Sequence, residues 1–573
     1  MNDVNKLYKL WLEKTRDDDE IYSELISIKD APSEILDRFY KNLEFGTAGL
    51  RGVLGSGTNR MNTYTVNQTT QGLADYLNSG FTSPSVAIAY DSRINSDVFA
   101  KSAACVLAAN GIKVFIYPEL VPTPMLSFAV RRLSCSSGIV ITASHNPSEY
   151  NGYKCYDPEG YQMTDDAAEK TYEFIQKVDI FEGVKTVPFD TALADGMIEY
   201  IMPELNEEFY EKVLSCQINK GICESAGLKL VYTPLNGAGN KPVREVLRRI
   251  GQLDVAVVPE QELPDGRFPT SPYPNPEIRQ TFERALIVAE KTGADLLLAT
   301  DPDCDRVGIA VKDGGDYTLM SGNEVGALLT EYVMSRKSAD GTLPDKPLVI
   351  KSFVTTELVT EITKKYGGET KNLLTGFKYI GELITELESK GESDRFIAGM
   401  EESYGYLFGI HARDKDAVVA SMLITEMAAY YKTTGKTLID VMNALYDEYG
   451  IYLNTVLSFG FEGASGMKKM KGLMDGLRAA PPSDIGGLKV LAVSDYSTGK
   501  TTDTATEEKT PIDLPKSNVL RYSLPDKSEV IVRPSGTEPK IKIYITAVSG
   551  GRDGAEELSE KIGAGIKKTM NID

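Results

Sequence analysis

The sequence predicts an α/β protein: three successive, related mixed α/β domains followed by a smaller α+β domain. Three observations carry this. Apolar runs of four to six residues end in polar loops and are followed by helical stretches, and this order recurs along the chain. The texture changes after about residue 455. The length, 573 residues, exceeds what one hydrophobic core can organise, since a domain usually takes roughly 100–200 residues. The expected divisions are 1–205, 206–322, 323–455 and 456–573.

The first forty residues are expected to be helical, with Tyr8, Leu10, Trp11 and Leu12 on an apolar side and Asp17 to Glu20 as a solvated acidic run. Ser85–Tyr90 reads as a strand ending at Asp91-Ser92-Arg93. A helix from Val98 to Asn110 follows, with Gly111 as its stop signal, and then a strand over Lys113–Tyr117. Gly138–Ile141 is a further buried strand. The order returns with the Leu228–Tyr232 strand, the Pro234–Gly239 loop, a helix from about Pro242 and a strand over Val255–Val258. It returns again with the Pro347–Ile350 strand and a helix over Glu357–Tyr366. Each of the three units is expected to have a parallel-leaning sheet. In the last domain, a helix over Met467–Leu477, a strand–loop–strand across Val530–Ile545 and a closing helix from about Gly554 to Met570 are expected. Pro481–Ser483 and Ser497–Pro511 read as polar loops.

Composition narrows the function classes. Hydrophobic residues make up 42% and charged residues 25%, as in ordinary soluble domains, and no apolar run approaches the ~20 residues of a membrane span. The formal net charge of −20 argues against nucleic-acid and anionic-membrane partners. Six scattered cysteines form no C-x-x-C pair, and the N-terminus lacks a secretory pattern, so a reduced, cytoplasmic protein is expected. An anionic small substrate requires basic side chains gathered locally.

Three strand-end loops supply chemistry. Thr142-Ala143-Ser144-His145-Asn146-Pro147 follows an apolar strand and presents the Ser144 hydroxyl. A free serine is a poor nucleophile and needs a base or a metal. His145 and Lys154 stand near it in sequence. A turn serine that satisfies backbone groups is the commoner fate of such a loop. A hydrolase triad is disfavoured, because adjacent Ser and His side chains should diverge and no Gly-x-Ser-x-Gly elbow exists. Asp301-Pro302-Asp303-Cys304-Asp305-Arg306 follows the strand Ala294–Ala299. Alternate residues of an extended segment point the same way, so its three carboxylates would repel unless a cation sits among them. All-oxygen ligands suit Mg²⁺; an acidic surface turn is the plain alternative, and Cys304 reads as a spacer. Arg533-Pro534-Ser535-Gly536-Thr537-Glu538-Pro539-Lys540 combines a guanidinium, two hydroxyls and a turn glycine, a combination that can clamp a phosphate. Its plain alternative is a hairpin turn with incidental charge. Two weaker loops, Gly399–Gly405 and Thr375–Gly381, offer sugar-facing carboxylates and a lysine. Phe45–Gly52 is glycine-rich, with one arginine and no Walker pattern.

These loops, in this order and over nearly the whole chain, resemble those of the α-D-phosphohexomutases. The resemblance implies four domains around a central cleft and a phosphoserine at Ser144. It implies a magnesium site of Ser144, Asp301, Asp303 and Asp305, and catalytic roles for Ser144, His145, Lys154 and Arg51. It also implies substrate binding by Arg306, Lys351, Lys378, Glu401, Ser403, Arg533, Ser535, Gly536 and Thr537. Met400 stands where many members have glycine, and Gly-Phe-Lys-Tyr-Ile-Gly surrounds Lys378 where phosphomannomutase-like members often carry Gly-His. With the long N-terminus and Gly405-Tyr406-Leu407, this places the chain beside the branch holding the longer bacterial phosphoglucomutases, the eukaryotic phosphopentomutase and glucose-1,6-bisphosphate synthase.

The activity so implied is an isomerase's interconversion of glucose 1-phosphate and glucose 6-phosphate, with Mg²⁺ as cofactor and glucose 1,6-bisphosphate as intermediate and activator. Lys154 is favoured as base, and the protein as a monomer or weak homodimer. Phosphopentomutase, phosphomannomutase and bisphosphate synthase are the alternatives within the family. A Mg²⁺-dependent sugar-phosphate phosphatase is the alternative from another class.

Overall fold

The computed structural model describes residues 2–46, 49–461, 463–535 and 540–572. The chain forms two compact units, the first of residues 1–322 and 377–435, the second of 323–376 and 436–573.

The first unit contains two sheets of the same build. In one, β1 (Gly49–Val53), β2 (Ser85–Tyr90), β3 (Lys113–Ile116), β4 (Ser137–Ile141), β5 (Tyr150–Tyr156) and β6 (Ile198–Tyr200) lie in the order β1-β5-β4-β2-β3-β6. The pairs β2/β3, β2/β4 and β3/β6 are parallel, whereas β4/β5 and β1/β5 are antiparallel. In the other, β7 (Leu230–Thr233), β8 (Val255–Val257), β9 (Leu296–Thr300), β10 (Val307–Asp313) and β11 (Asp316–Met320) lie in the order β11-β10-β9-β7-β8. Here β7/β8 and β7/β9 are parallel, and β9/β10 and β10/β11 antiparallel. The sheets are therefore mixed rather than parallel-leaning throughout: each parallel core ends in a strand that turns straight back.

Burial explains the central strands. Every residue of β4 and β9 is buried, as is all of β2 after its first residue. A strand covered on both faces reads as a continuous apolar run, and each fully buried Ile, Val or Leu contributes about 1.5–3 kcal/mol. The helix Ser96–Ala109 ends at Asn110, and Gly111 follows at φ +76°, the stop the sequence indicated.

The N-terminal helices Asn2–Lys14, Asp19–Ser27 and Pro32–Phe39 form as expected, but the apolar side is narrower than the sequence suggested. Tyr8 and Trp11 are buried, while Leu10 is 40% exposed. Trp11 makes edge contacts with Phe39, Tyr64 and Phe181, and this aromatic cluster fixes the extension to the first α/β layer.

In the second unit, strands Ile451–Gly460, Lys540–Ser549, Glu529–Pro534, Leu520–Ser523, Ala492–Asp495, Lys500–Asp503 and Lys509–Pro511 are neighbours, in that order, in a seven-stranded sheet. Val530, Val532, Ile543 and Ile545 share a core with Ile562 and Ile566 of the helix Arg552–Met570. Ser497–Pro511 is not a plain loop. Lys500–Asp503 pairs with Ala492–Asp495 and Lys509–Pro511 pairs with it in turn, with threonines 501, 502 and 510 in the ladder. These edge strands are largely exposed, so no apolar alternation marks them. Helix Gly463–Ala479 extends beyond the expected Met467–Leu477 at both ends. Among the described residues, no helix is long and apolar enough to cross a membrane.

Candidate active site

Two turns of the first unit face each other. The first leaves β4 and returns as β5. Ser144 sits in it at φ +51°, a left-handed conformation that a serine holds only when its surroundings compensate. The compensation is a buried arginine. The Arg93 guanidinium donates to the carbonyls of Ser144 and Asn146, and also to Pro147 O at 2.9 Å and Tyr150 O at 3.0 Å. Asp91, wholly buried beside Arg93, accepts from Thr142 Oγ1 at 2.6 Å and from Ser96 Oγ at 2.8 Å. Ser144 N donates to Thr142 Oγ1 at 2.8 Å. Gly152 of β5 lets that strand approach, since a Cβ there would stand 2.4 Å from Thr142 O.

The second turn leaves β9 and returns as β10. Cys304 holds the left-handed break at φ +52°, so the segment is a turn and not extended, as the spacing argument had assumed. The three carboxylates still converge: one oxygen each from Asp301, Asp303 and Asp305 lie within 4.8 Å of one another, all buried. Cys304 points into the core, and a Cβ on Gly239 would stand 2.8 Å from its sulfur.

The turns meet through side chains. Ser144 Oγ donates to Asp301 Oδ2 at 2.7 Å. Lys154 Nζ, from β5, donates to Asp303 Oδ2 at 2.9 Å and lies 3.9 Å from Asp305. Thr123 Oγ1 adds a bond to Asp303 Oδ2 at 2.9 Å, and Lys415 Nζ lies 3.2 Å from Asp305 Oδ2. Ser144 Oγ also lies 3.3 Å from His145 Nδ1, so the adjacent side chains do not diverge; the left-handed backbone at Ser144 turns them together.

The electrostatics are those of an overcharged acidic pocket. Burial, then the charges of Asp303 and Asp305, raises Asp301 well above the carboxylate range. Burial also raises Asp305, reinforced by Asp303. Asp303 goes the other way: burial opposes its charge, but Lys154 and the surrounding donors hold it ionised. His145 is kept neutral by burial and by the Arg306 and Arg51 guanidiniums, so its pKa falls well below 6.5. One oxygen of Asp303 and one of Asp305, both Oδ1, are buried without a hydrogen-bond partner. Orphaned carboxylate oxygens beside a third carboxylate, with no soft donor among them, fit a hard divalent cation.

The remaining expected residues fall in several places. Arg51 is exposed on β1, in register with Gly152. Arg306 bonds Glu277 at 2.9 Å, and its backbone bridges to Gly405. Glu401 ends the strand Phe396–Glu401, and its charge helps hold Arg306 protonated. Ser403 follows in the turn before Gly405–Leu407, where Tyr404 takes φ +66°. Lys378 lies in the first turn of helix Phe377–Ser389 rather than in a loop, and bonds Asp165 at 2.6 Å. In the second unit, Lys351 is fully buried, bonding Thr355 O at 2.8 Å and Glu357 at 3.1 Å. Arg533 stands near the end of the strand Glu529–Pro534, and Ser535, just past it, lines a cavity of about 640 Å³ with Lys471 and Arg478. Gly536 and Thr537 lie outside the described residues, as do residues 47–48 of the glycine-rich loop.

Sequence reasoning did not single out Arg93, Thr123 or Lys415. Only Asp91-Ser92-Arg93 carried a signal, an acid and a base at the end of a strand.

The sequence matches phosphoglucomutase/phosphomannomutase α/β/α domain I over residues 42–180, domain II over 207–315 and domain III over 321–449. The chain belongs to this family. It is 37% identical over 561 residues to a phosphoglucomutase of Staphylococcus aureus strain USA300, covering 97% of this chain and 98% of that one. A putative phosphomannomutase from Thermus thermophilus shares the fold at a TM-score of 0.69 and 22% identity, covering 93% and 99% of the two chains. So does pp63/parafusin from Paramecium in its open form, at 0.68 and 16%, covering 93% and 96%. Within the family, the Ser144 turn and the acidic turn occupy the second halves of the domain I and domain II matches.

Proposed function

We propose that this family member interconverts glucose 1-phosphate and glucose 6-phosphate by way of a phosphate carried on Ser144. The observation that carries the proposal is the contact of Ser144 Oγ with Asp301, 2.7 Å, at the edge of a three-carboxylate pocket with unsatisfied oxygens. The 37% identity to a phosphoglucomutase along nearly the full chain supports glucose as the sugar.

In the proposed reaction, the free hydroxyl of the sugar monophosphate attacks the phosphorus on Ser144. The new sugar O–P bond forms as the Ser144 Oγ–P bond breaks, and the hydroxyl proton passes to a base. The glucose 1,6-bisphosphate so made returns its other phosphate to Ser144. Asp301, Asp303 and Asp305 would hold Mg²⁺, which supplies neutralisation of the charge on the transferring group. Lys154 Nζ is ion-paired, 2.9 Å from Asp303 and 3.9 Å from Asp305. His145, held neutral 3.3 Å from Ser144 Oγ, is the better placed acceptor, with Lys154 and Arg51 as nearby cations. From the sequence alone, Lys154 is favoured as the base, with His145 and Arg51 assisting.

Glu401 and Ser403 are assigned to the sugar hydroxyls, and Arg306 and Lys378 to further substrate contacts. Arg533, Ser535, Gly536 and Thr537 are assigned to the non-reacting phosphate, which a guanidinium and hydroxyls grip equally well in either orientation of the sugar. Buried Lys351 supports its segment through Thr355 and Glu357.

The test is ³¹P NMR with Mg²⁺, catalytic glucose 1,6-bisphosphate and a panel of sugar 1-phosphates, beside Ser144→Ala. Growth of a glucose 6-phosphate signal, cut roughly 10⁴-fold or more in Ser144→Ala, is the expected result. Release of inorganic phosphate alone would make the protein a phosphatase, and turnover confined to a pentose or mannose phosphate would reassign the sugar.

A further inference from the structure

A second reactive constellation lies in the first unit, apart from the acidic pocket and unused by the proposed reaction. Cys216 follows the helix Pro203–Leu214, and His411 and Asp416 flank the start of the helix Ala417–Thr433. His411 Nε2 lies 2.7 Å from Asp416 Oδ2. Asp416 is itself fixed, since its other oxygen caps the helix, accepting from Val418 N at 2.7 Å and Val419 N at 3.2 Å. The ring is further held by an edge contact with Phe209, 5.6 Å between centroids. Arg131 donates to Ile410 O at 2.8 Å and fixes the segment before it.

That leaves His411 Nδ1. It is buried and makes no hydrogen bond, and the side chain as a whole is only 2% exposed. Beside it lies the Cys216 sulfur: a Cβ built on Gly409 would stand 2.6 Å from Cys216 Sγ and 3.2 Å from His411 Nδ1. Gly409, at φ +77°, is what lets the thiol and the ring share this space. Glu426 anchors the chain just past the cysteine, accepting from Ile218 N and Asn219 N at 3.1 Å each. The order carboxylate, imidazole, thiol is that of an activated cysteine, in which the acid orients the ring and the ring takes the thiol proton.

We propose that Cys216 is a His411-activated thiol, a modification site that exchanges with low-molecular-weight disulfides. Asp416 and the sulfur hold His411 protonated despite its burial, with its pKa pushed up to about 9. The sulfur also faces two carbonyls, Phe408 O at 3.5 Å and Lys212 O at 3.6 Å. In the exchange, the Cys216 thiolate attacks one sulfur of RSSR. The Cys216 Sγ–SR bond forms as the RS–SR bond breaks, and the departing thiolate takes the proton from His411. Cys216 is oxidised and one RS group is reduced to RSH.

The chain carries its own control. Of the six cysteines, Cys135, Cys155, Cys223 and Cys304 are buried, and Cys105 is half-buried like Cys216. No histidine stands beside Cys105 to offset its burial, which pushes its thiol up. The experiment treats the full-length protein with hydroxyethyl disulfide at pH 7 and locates adducts by peptide mass spectrometry over time. Cys216 is expected to react at least about tenfold faster than Cys105. His411→Gln is expected to cut the Cys216 rate about tenfold. Should that variant misfold, the wild-type comparison of the two half-buried thiols decides alone. Equal rates at Cys105 and Cys216, or a folded His411→Gln variant reacting as fast as wild type, would overturn the proposal.

Discussion

The turn from β4 to β5 and the turn from β9 to β10 occupy the same station in two sheets of the same build. Each leaves a fully buried parallel strand, breaks at a left-handed residue, Ser144 or Cys304, and returns antiparallel. Their charge logic is opposite. The serine turn has no charged side chain of its own pointing into the break; a buried cation, Arg93, gathers its carbonyls from outside. The acidic turn brings three buried carboxylates and borrows Lys154 and Lys415 to offset them, yet two oxygens stay unsatisfied. One turn is complete as folded and presents a hydroxyl. The other is held in a state that a divalent cation would complete. A shared backbone device thus serves two chemical roles, and the side chains around it select which.

Three experiments press on this contrast. The largest effect is expected from Arg93→Met. It removes the cation that organises the serine turn and leaves Asp91 buried and unpaired, at a cost of about 3–5 kcal/mol in denaturant unfolding, with activity lost alongside. A stable, active Arg93→Met protein would show that the turn holds its shape without the guanidinium. Next comes Asp303→Asn, which leaves the serine turn untouched. Steady-state kinetics at saturating Mg²⁺ should find kcat lower by about 10²–10³, with the fold retained by circular dichroism. A wild-type rate would remove Asp303 from the machinery. The smallest effect is the metal's own. Mg²⁺ at a hundredfold its dissociation constant is expected to stabilise the wild-type protein by about 2.7 kcal/mol over a chelated sample, as read by thermal melting. The gain should shrink in Asp303→Asn and, to a smaller extent, in Ser144→Ala, which removes the fourth ligand that the family resemblance implies. A gain equal in all three would place the cation elsewhere.

Much of this arrangement was legible in the sequence, and particular residues explain why. Leu296 to Ala299 and Gly138 to Ile141 are apolar without interruption because both faces of their strands are covered, so the loops after them could be located at strand ends. The carboxylates of Asp301, Asp303 and Asp305 lie within five residues of one another, so their crowding is visible in one dimension. The supporting side chains are not. Arg93 serves carbonyls more than fifty positions away, Thr123 reaches Asp303 across 180, and Lys415 reaches Asp305 from a different segment altogether. Apart from the strand-end Asp91-Ser92-Arg93, nothing local distinguishes these residues from solvated ones. The exposed strands Lys500–Asp503 and Lys509–Pro511 escaped for the complementary reason, since an edge strand without a buried face has no alternation to read.

By itself the sequence determined where the chain passes through the core, where it leaves, and which nucleophile, acids and cations stand at the exits. Hydrophobic burial and turn chemistry act over a few residues and leave their mark there. Only the tertiary structure decided that Ser144 bonds Asp301, that Lys154 is spent on Asp303, and that Cys216 lies beside His411. Pairing of buried charges and polar groups is settled by which surfaces the sheets and helices bring together. A charge taken out of water is stable only beside a partner, and that partner can come from any part of the chain.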